Sequence, residues 1–232
     1  MAEQIPLKFE FRANQTFIDF YPGNNQAIID QLKKTVSGQC EQFIFLWADA
    51  GHGKSHLLHA CCDQAFKQGV GSFYLDFSDS TTISPELFSG LESFEVVCLD
   101  NIGLIVGQAD WEYALFDFFN RHRDHHGRLI VSASRSPKAL GFTLPDLQTR
   151  FNWGLALKIE TLTDDDKIVA LTYKARQMGF AITPQVALFL ITRYDRNLAS
   201  LWLLLDKLDF ASLAAKRKLT IPFLKEILGQ QD

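Results

Sequence analysis

The eight residues Ala48-Asp49-Ala50-Gly51-His52-Gly53-Lys54-Ser55 constrain this chain more than any others. They follow the apolar run Phe43–Trp47 and lead into an apolar-periodic segment over residues 55–68. A buried strand, a glycine-containing turn and Lys-Ser at a helix start form the arrangement that cradles nucleotide phosphates. Backbone N–H groups of such a turn face the anion, and the helix adds its positive N-terminal dipole. Lys54 would reach the terminal phosphates, and Ser55 would offer a hydroxyl to Mg²⁺. Ala48 stands where the GxxxxGK[ST] pattern has its first glycine. The plainer alternative is a chance Gly-Lys-Ser in a surface turn, and the strand before and helix after argue against it.

Composition excludes several classes. The chain has 232 residues, 47% hydrophobic and 22% charged, which suits one large globular domain or a domain with a small satellite. Twenty phenylalanines make its core aromatic-rich. No apolar run reaches the ~18–20 residues of a membrane span. Met1-Ala2-Glu3-Gln4 lacks the basic-then-apolar pattern of a secretory signal. Cys40, Cys61, Cys62 and Cys98 show no CxxC pairing and read as small buried hydrophobes, consistent with a reducing cytoplasm. A net charge of −4 argues against wholesale binding of duplex DNA.

Residues 1–16 are polar and proline-interrupted, which predicts an arm. Residues 17–160 alternate strand and helix from about residue 40. Strands are predicted over 43–47, 72–76, 96–99, 129–133 and 155–159, and helices over 55–68, 85–91 and 110–125. This order implies an α/β fold with a mostly parallel sheet covered on both faces. After Glu160 the pattern changes. Thr163 with Asp164-Asp165-Asp166, and Thr183-Pro184, are helix starts. Further helices follow over 197–215 and from about Pro222, so residues 161–232 read as a small all-helical bundle.

Val96-Val97-Cys98-Leu99-Asp100 is an apolar strand ending in an acid, and such an acid faces the ligand crevice of a parallel sheet. Asp100 is therefore a candidate to hold Mg²⁺ through water together with Ser55; the alternative is a strand-to-loop cap. Asn101 follows, where many nucleotidases carry a second carboxylate to polarise water, and an amide has no basic lone pair for that work. Asp49 is expected to point to solvent, or else to bias the turn towards a diphosphate. Arg150 follows the turn Leu144-Pro145-Asp146; it is a surface ion-pair residue or a finger reaching a neighbour's nucleotide. Residues 121–128 (Arg-His-Arg-Asp-His-His-Gly-Arg) are basic and either complement a helix C-terminus or touch nucleic acid or an acidic partner. In the arm, Gln4, Leu7 and Phe9 give a polar anchor and two apolar plugs, the form of a tail that binds a partner's pocket.

Over roughly residues 15–230 the chain resembles the bacterial DnaA/Hda branch of the AAA+ superfamily. The residues that carry the likeness are Phe17-Ile18-Asp19-Phe20-Tyr21-Pro22-Gly23-Asn24-Asn25, the Gly51–Ala60 stretch, Asp100-Asn101-Ile102 and Arg150-Phe151-Asn152-Trp153-Gly154. The resemblance implies an AAA+ P-loop domain followed by a helical lid. It also implies nucleotide contacts from Phe20, Tyr21, Pro22, Asn25, Ala50, Gly51, His52, Gly53, Lys54, Ser55, His56, Asp100 and Arg196, with ADP or ATP and Mg²⁺ as cofactors. Arg150 becomes the finger acting in trans on ATP bound to DnaA, and Gln4, Leu7 and Phe9 become a peptide for the DNA polymerase III sliding clamp. With the lid taken as residues 161–232, neither the initiator's C-terminal DNA-binding domain nor its N-terminal oligomerisation domain is expected, which implies a likeness to the branch's regulatory members. Departures are Ser134 at a sensor position, Ala199 in place of a lid arginine, with Arg196 one turn earlier, and Asn101. They imply a site that holds nucleotide more than it turns it over.

The resulting expectation is a cytoplasmic regulator that the DNA-loaded clamp recruits and that stimulates ATP hydrolysis by DnaA, touching DNA through the clamp and possessing no membrane segment. Homo-oligomers are compatible with this picture. The rivals are a helicase-loader-like ATPase, a DNA-binding adaptor using residues 121–128, and a clamp-binding scaffold with a vestigial nucleotide site.

Overall fold

The structure, a computed structural model, describes residues 15–78, 83–195, 197–215 and 219–229. Five strands form one sheet: β1 (Phe43–Trp47), β2 (Ser72–Asp76), β3 (Val96–Asp100), β4 (Arg128–Ala133) and β5 (Leu155–Lys158). All neighbours are parallel, in the order β2-β3-β4-β1-β5. Because side chains alternate across a strand, each strand feeds two cores. Phe43, Phe45, Val97, Leu99, Leu129 and Val131 enter one, and Ile44, Leu46, Val96, Cys98 and Ile130 enter the other. The first face is covered by α3 (Ala109–Asp124) and α5 (Pro145–Phe151), with the short α4 (Pro137–Leu140) between them in sequence. The second is covered by α1 (Gln26–Val36) and α2 (Lys54–Lys67). Each fully buried Phe or Leu here contributes about 1.5–3 kcal/mol relative to exposure.

The expected strands are present within one residue at their ends. The sequence reading passed over α1, although Ile28, Ile29, Leu32 and Val36 recur at helical spacing and are buried. The expected helix over 85–91 is instead two 3-10 turns, Pro85–Phe88 and Leu91–Ser93. Leu144-Pro145-Asp146 is the N-terminus of α5, with Pro145 at the first helical position where its missing N–H is tolerated.

The chain divides into two compact units. The first holds the chain through Phe20, then Gln26–Asp49 and Gly53–Ile159; the second holds Tyr21–Asn25, Ala50–His52 and the chain from Glu160. The second is built on α6 (Asp164–Gln177), α7 (Pro184–Arg193), α8 (Leu198–Ala215) and α9 (Ile221–Leu228), packed around Leu171, Leu190, Leu201, Leu205 and Phe223. Thr163 and Asp166 form a reciprocal capping box on α6, and Thr183 caps α7 by accepting from Val186 N. Among the described residues no helix is long and apolar enough to cross a membrane.

Candidate functional site

In the first unit, Gly53 caps α2 with φ +85°, and a Cβ there would lie 2.7 Å from Phe20 Cε2. Only glycine meets both demands. Lys54 opens the helix and is buried, its Nζ donating to the carbonyls of Ala48 (2.8 Å) and Asp49 (2.9 Å). Burial lowers its pKa, while the negative charges of Asp100 and Asp49 oppose that shift. Ser55 follows, half-buried in the first turn. His56 Nε2 pairs with the Thr16 carbonyl at 2.8 Å, and its ring meets Phe20 edge-on at 5.3 Å. Asp49 is exposed.

Asp100 ends β3, fully buried. Ser132 Oγ donates to its Oδ1, the Asn101 amide N–H reaches the same oxygen at 3.1 Å, and Tyr74 Oη donates to Oδ2 at 2.8 Å. Burial and the adjacent Asp100 carboxylate push the Tyr74 pKa far up, so its hydroxyl stays a donor. The Tyr74 ring stacks on His59 of α2 at 3.9 Å. Asn101 adopts a left-handed backbone, φ +58°, and its Nδ2 donates to Asp76 Oδ1 (2.8 Å) and Ser78 Oγ (3.2 Å). Asp76 and Asp100 are register partners on β2 and β3. Tyr74, Asp76 and Ser132 escaped the sequence reading; a lone hydroxyl in the apolar β4 and an acid at the end of β2 were the available signals. The exposed Ser134, expected as the sensor, is not the hydroxyl that meets Asp100.

In the second unit, Asn25 is buried, and its side chain exchanges two hydrogen bonds with the backbone of Glu160, donating to its carbonyl at 3.1 Å and accepting from its N–H at 2.7 Å. Its amide is thereby a chain clasp. Tyr21 and Pro22 precede it, half-buried. His52 touches the Ala50 carbonyl (3.2 Å) and Thr161 Oγ1 (2.8 Å). Gly51, φ +80°, lies so close beneath Asn197 that a Cβ would come within 2.3 Å of its amide nitrogen. Arg196 lies outside the described residues, as do Gln4, Leu7 and Phe9.

Arg150 belongs to neither cluster. It sits in the last turn of α5, half-buried, with its guanidinium 4.3 Å from the centre of the Trp153 ring. The next residue, Phe151, is fully buried among Phe43, Phe45, Phe119 and Phe142. Glu112 of α3 anchors the start of the same helix, accepting from Leu144 N (2.7 Å), Thr143 Oγ1 (2.8 Å) and, nearby, Gly107 N (2.7 Å).

Residues 164–228 match the family described as the Hda lid domain, and residues 82–158 match the bacterial DnaA ATPase domain. This chain is an Hda-type, DnaA-related AAA+ protein. Among solved structures, domain III of the Thermotoga maritima replication initiation protein DnaA is similar over 93% of this chain and 95% of its own, with TM-score 0.77 and 19% identity. AMPPCP-bound DnaA from Aquifex aeolicus is similar over 83% of this chain, with TM-score 0.71 and 21% identity. A replication initiator DnaA bound to AMPPCP and single-stranded DNA matches over 85%, with TM-score 0.73 and 21% identity. The Hda-type chain spans 64% and 65% of those last two chains. These likenesses establish the AAA+ sheet with its helical lid.

Within this Hda-type chain the basic stretch 121–128 is not a continuous exposed patch. His122 is buried, and Arg128 turns inward to the Val36 carbonyl and to Glu95, whose carboxylate it meets at 2.6 Å. Cys61, Cys62 and Cys98 are free and buried, and Cys40 is free and half-buried.

Proposed function

We propose that this chain is a nucleotide-bound regulator that stimulates ATP hydrolysis by DnaA and so restrains initiation of replication. Recruitment is by the DNA-loaded sliding clamp, through Gln4, Leu7 and Phe9. The loop around Gly51–Ser55 holds ADP or ATP, with Lys54 releasing the Ala48 and Asp49 carbonyls to take phosphate oxygens. The observation that carries the reading is the presentation of Arg150. Its helix is pinned at one end by Glu112 and at the other by buried Phe151, so a cation is offered at a fixed place for charge that develops on another molecule's phosphates. The chain's own site supports the same view, because the residue beside Asp100 is an amide already engaged with Asp76.

The test is phosphate release from DnaA–ATP with DNA-loaded clamp, comparing this chain with Arg150→Ala. The expected result is a large stimulation that the variant loses, on the order of 10³-fold for a trans-acting arginine. No stimulation by the unmodified, ADP-loaded chain would refute the regulator and favour a loader-like ATPase. Stimulation that survives in Arg150→Ala would refute the finger and favour a clamp-bound scaffold.

A further inference from the structure

We propose that this chain binds nucleotide without a divalent cation, because the carboxylate expected to hold the ion's water shell is buried and already engaged by three protein donors. The inference rests on the reading that the Gly51–Ser55 loop holds phosphates.

A P-loop acid serves Mg²⁺ by turning free lone pairs towards the ion or its waters, since Mg²⁺ dehydrates reluctantly and keeps several of them. An ionised carboxylate has about four such sites. At Asp100 three are taken by protein donors: Ser132 Oγ and Asn101 N on Oδ1, Tyr74 Oη on Oδ2. The side chain is 0% exposed, so the donors come from both neighbouring strands and from the next peptide, with none left to solvent. Tyr74 is held in this role by its stack on His59, which fixes the ring between β2 and α2. Asp76, at the end of the neighbouring strand, is engaged too: its Oδ1 accepts from Asn101 Nδ2 at 2.8 Å and from Ser78 N at 2.9 Å. The residues do not fit the expected partnership of Ser55 and Asp100 around Mg²⁺.

Among the described residues, Lys54 and the N-terminus of the 14-residue α2 are offered to the ligand's phosphates.

The experiment is calorimetric titration of ADP into the full chain, in magnesium chloride and in EDTA, for the native protein and for Tyr74→Phe, which keeps the ring on His59 and removes one donor. The native Kd should agree within about twofold in the two buffers, whereas in Tyr74→Phe magnesium should tighten binding about tenfold. A native Kd about tenfold weaker in EDTA overturns the proposal. If both proteins ignore magnesium, Tyr74 is not the cause and the assignment falls. If the native chain, shown folded by its thermal melt, binds no ADP in either buffer, the phosphate-loop reading itself is wrong, an outcome distinct from the others.

Discussion

The guanidinium of Arg150 lies 4.3 Å from the centre of the Trp153 ring, three residues on, and that ring is 62% exposed. The pair stands at the end of α5, where Trp153 N closes a turn on the Arg150 carbonyl at 3.1 Å. A cation held over an indole face loses less freedom on meeting a phosphate than one waving from a surface.

If Arg150 acts in trans, Trp153→Ala should lower the stimulated rate of hydrolysis by DnaA about two- to fivefold, the equivalent of the 0.5–1 kcal/mol typical of an exposed cation–π contact. Trp153→Phe, which keeps a ring face, should lose less. A Trp153→Ala protein with unchanged rate at saturating concentration would show that the stack does not position the guanidinium.

Glu112 should matter to the same helix from within the fold. Its burial favours the neutral acid, but hydrogen bonds from Gly107, Leu144 and Thr143 outweigh that and hold its pKa below the usual glutamate value. A depressed carboxylate stabilises the fold above its unfolded pKa of about 4.3, and that stability is lost as pH falls through the folded value. Glu112→Gln should therefore cost about 1.5–3 kcal/mol at neutral pH by urea denaturation and show a shallower loss of stability on acidification below pH ~5. An unchanged acid profile in the variant would remove Glu112 from this role.

Asn101→Asp tests whether the missing carboxylate can simply be restored. The new acid would face Asp76, whose Oδ1 now accepts from the Asn101 amide at 2.8 Å. Two carboxylates in contact cannot both ionise freely, so the variant should lose about 1–3 kcal/mol of stability and gain no steady ATP turnover. Adding Asp76→Asn should return the stability. A robust ATPase in the single variant would show that the Asp76 contact does not matter.

His122 is 1% exposed, and neither ring nitrogen completes a hydrogen bond. Burial lowers its pKa, and the Arg128 backbone and Glu92 only partly offset this. For a base with a lowered folded pKa, the unfolded chain takes up the proton first, so stability should fall as pH drops through about 6.5. His122→Leu should flatten that decline and leave the protein up to about 1–3 kcal/mol more stable at neutral pH, by removing polar atoms buried without partners. Denaturation curves at pH 7 and pH 5 decide it: a variant that is less stable at pH 7, or that keeps the slope, contradicts the assignment.

The sequence alone determined the order of the strands and the place of the glycine turn between β1 and α2. Apolar runs such as Phe43–Trp47 leave a chain little choice but a buried strand, and Gly-Lys-Ser between strand and helix is a local signature. Thr163 and Thr183 marked their helices for the same reason, because a cap acts on backbone groups three residues away. Tertiary structure alone decided what Asp100 can do. Its donors, Tyr74 and Ser132, sit 26 and 32 residues away in sequence and reach it only because β2, β3 and β4 lie side by side. The clasp of Asn25 on Glu160 spans 135 residues and is equally invisible in one dimension. Local chemistry is written along the chain; the donors that reach a buried carboxylate depend on which strands become neighbours.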